Sequence, residues 1–212
     1  MAWQTEGTRS VEAWDKASVL IAQEIQMWSE DILEKPSPLF GGLPPCPYAR
    51  MAWMKNCVMI HVTPEIETVA EIKAFHPPTD ELLHIVAWTN FDEMTADEFD
   101  EWIEDQNKNH FGVWIMGFHP DSPEDPLTPE FSGNGADDYA LLLVQSYSHL
   151  IEASENLRDT AYYDKFPHED MVYINKRKEI FDAWNEKVDA KAQQSREEAA
   201  LQRRIEGEEA EH

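Results

Sequence analysis

From Ser10 to Lys35 the apolar residues Trp14, Ile21, Ile25, Trp28 and Ile32 recur three, four and seven positions apart, the spacing of one face of a helix. Ser10 is its candidate N-cap, and Pro36 and Pro38 end it. The segment PSPLFGGLPPCP reads as loop, and YARMAWMKN after Pro47 reads as a short helix. CVMIHV, Cys57 to Val62, reads as a strand stopped by Thr63-Pro64-Glu65, an N-cap with proline at the first position of a helix over about 65–75. The pattern then repeats. LLHIVAW (82–88) predicts a buried strand, Thr95-Ala96-Asp97-Glu98 a capping box, Phe99, Trp102 and Ile103 the inner face of a helix, and VWIMGF (113–118) a third strand.

Three strands alternating with two helices predict an α+β fold: a βαβαβ-type mixed sheet of three or four strands, ferredoxin-like or thioredoxin-like, covered by helices. Long helices are expected at both ends. Residues 139–158 (YALLLVQSYSHLIEASENLR) are apolar around most of a helical circumference, which predicts a central buried helix. A last helix is expected from Asn175, docking through Ile180, Phe181, Trp184 and Val188. One domain is therefore expected over 1–188. Residues 189–212, rich in Ala, Gln, Glu and Arg, are expected to form a charged projecting helix or a disordered tail.

Composition narrows the function classes. The chain has 212 residues, 42% of them apolar, enough for one core. The first sixteen residues lack a basic start followed by an apolar run, and no stretch reaches the ~18 apolar residues of a membrane span, so a soluble cytoplasmic protein is expected. The net charge is -25; residues 171–212 hold 8 basic and 10 acidic residues, which leaves 9 against 32, or -23, in residues 1–170. Such a body repels phosphate backbones and anionic lipids, so the expected partner is a small-molecule substrate or a basic protein, not nucleic acid or membrane. The sequence names no cofactor.

Four features carry candidate chemistry. Cys46 lies before Pro47 and a helix start, where a thiolate gains from backbone N–H groups and from Arg50 one turn on; Tyr48 lines the same turn. Phe118-His119-Pro120-Asp121 closes the third strand, where open sheets place ligands, and offers His119 as acid/base with Asp121 orienting it. The same His-x-Asp pair, with a second histidine, would make a metal site. The acidic loop from His119 to Asp138, ending in Asp137 and Asp138, could gather a hard cation, and His149 sits beside Ser146 and Tyr147 on the apolar helix.

The segment CPYARMAWMKNCVMIHV resembles the opening of glutaredoxins, with Ala49 in place of their second cysteine, and that resemblance implies thiol redox chemistry at Cys46. The order Cys46-Pro47-Tyr48-Ala49, Phe118-His119-Pro120-Asp121, Asp137-Asp138 is similar to a family of uncharacterised bacterial proteins carrying Cys-Pro-Phe-Ala and a later Phe-His-Pro-Asp. It implies a shared site at those residues without assigning a reaction. Three readings follow: a small intracellular enzyme using Cys46 as nucleophile or redox thiol with His119 and Asp121; a non-catalytic acidic module that docks on a basic protein; and a metal-dependent enzyme built on His119 and Asp121.

Overall fold

The computed structural model describes residues 16–66, 83–109, 112–123 and 138–209, with side chains as far as residue 198. The chain forms two compact units, 1–165 and 166–212.

In the first unit, α1 (Lys16–Trp28) buries Ala22, Ile25 and Trp28, and half-buried Ile21 packs on the same cluster. A π-helical turn, Ser29–Leu33, extends α1, half-buried Ile32 packs beside it, and a 3-10 turn, Pro38–Phe40, is capped by Ser37. The short helix α2 (Ala49–Met54) leads through Asn56, at φ 56°, into strand β1 (Val58–Thr63). Strand β2 (Leu83–Trp88) follows, then a 3-10 turn at Phe91–Glu93 and helix α3 (Ala96–Asn109). Strands β3 (Val113–Phe118) and β4 (Ala140–Ser146) complete the sheet, and α4 (Tyr147–Arg158) closes the unit. The expected helix over 65–75 falls on residues 67–82, and Ser10 and Trp14 on residues 1–15, both outside the described residues.

The fold is α+β, and its sheet is mixed. Strand order is β1-β2-β4-β3, with β1 parallel to β2 and β4 antiparallel to both neighbours. The expected central helix over 139–158 is corrected: its first half is β4, and only Tyr147–Arg158 is helical. Because β4 lies between β2 and β3 with both faces covered, Ala140 to Val144 are buried without a break, and such a run carries no period that separates strand from helix.

Alternate side chains divide the core in two. Ile60, Ile85, Ala87, Leu141 and Leu143 face α1 and α2; Val86, Trp88, Val113, Ile115, Leu142 and Val144 face Phe99 and Ile103 of α3. Helix α3 starts as the capping box expected: Thr95 N–H donates to Glu98 Oε2 at 2.9 Å, and Glu98 N–H to Thr95 Oγ1 at 3.3 Å. The Thr95 main-chain N–H, together with the Thr95 hydroxyl that donates to the same oxygen at 2.9 Å, holds the Glu98 carboxyl below its ordinary range.

The second unit is dominated by α5 (His168–Glu209), 42 residues and so about 63 Å long at the usual rise. It begins at His168, ahead of the expected Asn175, and residue 188, where the sequence reading ends the domain, lies inside it. Phe181 and Trp184 meet on this helix, while Ile180 and Val188 are exposed. Pairs four residues apart, including Lys178–Asp182 at 2.7 Å and Gln194–Glu198 at 2.8 Å, line its polar side. None of the described helices is long and apolar enough to cross a membrane.

Candidate functional site

Cys46 sits in the turn into α2, packed against the α1 side of the core. Its N–H donates to the Leu33 carbonyl at 3.0 Å, and the Tyr162 hydroxyl bonds the neighbouring Pro45 carbonyl. Alongside, Trp53 Nε1 donates to Ser29 Oγ at 2.8 Å, and Ser29 Oγ bonds Glu34 Oε1 at 3.1 Å. Burial pushes the Cys46 thiol up; the backbone N–H groups of Tyr48 and Ala49 pull it down, and the Glu34 charge raises it further. Burial is the largest of these effects, so the thiol stays protonated at neutral pH. Arg50, the expected activator, is exposed and has no place among the charges acting on the sulfur. Tyr48 is exposed, and its hydroxyl donates to the Ala153 carbonyl at 3.4 Å.

His119 lies on the other side of the sheet. It is 1% exposed, with its ring 5.4 Å from both Phe91 and Phe99, which belong to the α3 side of the core. Asp121 does not orient it by its carboxylate: the Asp121 main-chain N–H donates to Nδ1 at 3.1 Å. An accepting Nδ1 leaves the ring proton on Nε2, which then donates to the Phe91 carbonyl at 3.3 Å; the tautomer is assigned from this pattern. Both nitrogens are thus engaged, and the imidazole offers no lone pair to a substrate proton or a metal. It ties the end of β3 to the Phe91–Glu93 turn.

The sheet therefore separates the two residues that the sequence reading joins. Cys46 packs with Ile85, Ala87 and Leu141; His119 packs with Phe99, beside Trp88 and Leu142. The remaining candidates scatter. His149 is exposed on α4, where its main-chain N–H meets the capping Ser146 Oγ at 3.5 Å; Asp138 is exposed just before β4; Asp137 lies outside the described residues. No group of three His, Cys, Asp or Glu side chains that could hold a metal occurs among the described residues.

What the structure does assemble is a surface. All eight carboxylates between Phe91 and Gln106, at Asp92, Glu93, Asp97, Glu98, Asp100, Glu101, Glu104 and Asp105, are exposed; no basic residue falls within that span, and Lys108 in the last turn of α3 pairs with Glu104 at 2.9 Å. Helix α3 turns Phe99 and Ile103 inward and leaves the acids outside. Burial, then repulsion from Asp97 and Glu104, raises the Asp100 carboxyl above its usual value. Asn107, which the sequence gave no reason to single out, locks the helix to the sheet: its Oδ1 accepts from Ile115 N–H at 2.8 Å, and its Nδ2 donates to the Ile115 carbonyl at 3.0 Å.

The state of the thiol gives a direct prediction. Cys57, half-buried like Cys46, has its sulfur 3.7 Å from the Lys55 carbonyl, while burial raises the Cys46 thiol. At neutral pH iodoacetamide should label Cys57 first and Cys46 slowly, the reverse of what a catalytic Cys46 requires. Peptide mass mapping against time reads the order; faster labelling of Cys46 would restore the thiol reading.

In comparisons with known proteins, no family model, no curated protein and no solved structure matches this chain.

Proposed function

We propose that this protein is a non-catalytic interaction module whose acidic α3 face docks on a basic protein surface. The observation that carries the reading is the exposure of all eight carboxylates from Asp92 to Asp105 on one helix and the turn before it. Their backbone is held rigidly by Asn107 and by the inward Phe99 and Ile103. Burial first, and then repulsion from Asp97 and Glu104, raises the Asp100 carboxyl; the like-charge part is relieved when a cationic surface arrives, so the face gains from a basic partner. The cysteine reading requires thiol and imidazole to meet, and the metal reading requires a ligating nitrogen on His119. Neither arrangement supports those chemistries as well as the surface supports docking.

The test is capture of binding partners at low ionic strength, followed by the Glu101→Lys/Asp105→Lys double variant on the purified pair. Both side chains are exposed and outside the core, so the fold should persist. Affinity should fall about tenfold or more, and wild-type binding should weaken as salt rises. Acidification into the carboxyl range should also weaken it, with Asp100 taking up its proton early because its carboxyl is already raised. A complex indifferent to salt and to both reversals would remove the proposal.

A further inference from the structure

The two edges of the sheet are treated differently. At the β3 edge, the outward N–H and C=O of Ile115 are occupied by the Asn107 side chain, and α3 lies against the strand. At the β1 edge nothing comparable exists among the described residues. Leu83 N–H donates to the Cys57 carbonyl at 2.8 Å and Thr89 N–H to the Thr63 carbonyl at 2.9 Å, so the odd-numbered main-chain groups of β1 face β2. The N–H and C=O of Val58, Ile60 and Val62 consequently point to the open edge, and among the described residues no hydrogen bond reaches them. An edge strand of this kind is a template for another strand unless charge, proline or a bulge blunts it. Residues 58–63 (VMIHVT) contain no proline and no formal charge.

We infer that β1 pairs antiparallel with β1 of a second copy of this chain, about a two-fold axis at Ile60. The sequence is self-complementary in that register. Val58 stands opposite Val62 of the second copy and Ile60 opposite Ile60, three pairs of outward-facing residues, each able to exchange two main-chain hydrogen bonds. Their side chains lie on one face as β-branched cross-strand pairs. Met59 stands opposite His61 on the other face. In a chain of net charge -25, this strip without formal charge is where a second acidic body meets least repulsion.

This inference does not rest on the α3 reading, and ionic strength separates the two. Two bodies of like charge repel, and salt screens them, so self-association should strengthen as salt rises, whereas docking of a basic partner should weaken. Sedimentation velocity across protein and salt concentrations should show monomer passing to dimer, more completely at high salt. Val62→Pro removes an outward N–H that the sheet does not use, so it should keep the circular dichroism of the parent and lose the dimer. Should that variant fail to fold, Met59→Cys/His61→Cys on a Cys46→Ser/Cys57→Ser background decides, because the opposed non-hydrogen-bonded pair suits an intermolecular disulfide on air oxidation. A wild-type chain that stays monomeric at high salt, a folded Val62→Pro that still dimerises, or a cysteine pair that forms no cross-linked dimer overturns the proposal.

Discussion

Replacing Trp88 by alanine should cost about 3–5 kcal/mol of folding stability, out of the ~5–15 kcal/mol typical of a domain. Trp88 is fully buried at the end of β2, stacked on Phe99 with ring centroids 6.1 Å apart and planes 15° from parallel. Its indole N–H donates to the Pro64 carbonyl at 3.1 Å, tying the exit of β1 to the end of β2. Alanine would open a cavity beneath α3 and leave that carbonyl without its donor, so transfer, cavity and hydrogen-bond losses add in one direction. Urea unfolding followed by circular dichroism measures the change. A loss below about 1 kcal/mol would mean that the α3 side of the core does not depend on this ring.

Gly117→Ala should be nearly as damaging although it adds one methyl group. A Cβ at this position would stand 2.0 Å from Ile103 Cδ1 and 2.7 Å from Phe99 Cε1. Ile103 can turn its terminal methyl aside, but Phe99 is fully buried between Trp88 and His119 and has nowhere to go. The helix must therefore lift from β3, at a cost of about 1–3 kcal/mol or more. Because the helix carries the acidic face and the Asn107 lock, affinity for a basic partner should drop with stability. Adding Phe99→Leu, which removes the ring atoms in the way, should recover part of the loss, so that the double variant is more stable than the sum of the two single effects predicts. Simple additivity would place the obstruction elsewhere.

The candidate site was less legible than the fold. Pattern alone located β1, β2, β3 and α3 to within a residue or two, because each is amphipathic or bounded by Pro, Thr or a capping box. It missed β4, whose apolar run continues into α4 with no turn residue between, only Ser146 as cap. Motif reasoning paired Cys46 with His119 because each stands beside a proline at the end of an element. Which side of a sheet such a residue occupies depends on strand parity and order, and neither is local. His119 continues the odd-numbered residues of β3 that face α3, while Cys46 arrives on the opposite layer with α2.

The sequence by itself determined the types of β1, β2, β3 and α3, the capping of α3 and the acidity of Phe91 to Gln106, since these follow from residue identity and short-range periodicity. Tertiary structure decided the rest. It placed β4 between β2 and β3, assigned thiol and imidazole to separate layers, filled the β3 edge with an asparagine and left the main chain of Val58, Ile60 and Val62 facing outward. Those outcomes depend on which strands become neighbours, and pairing between residues far apart in the chain is set by the packing of whole layers rather than by any local pattern.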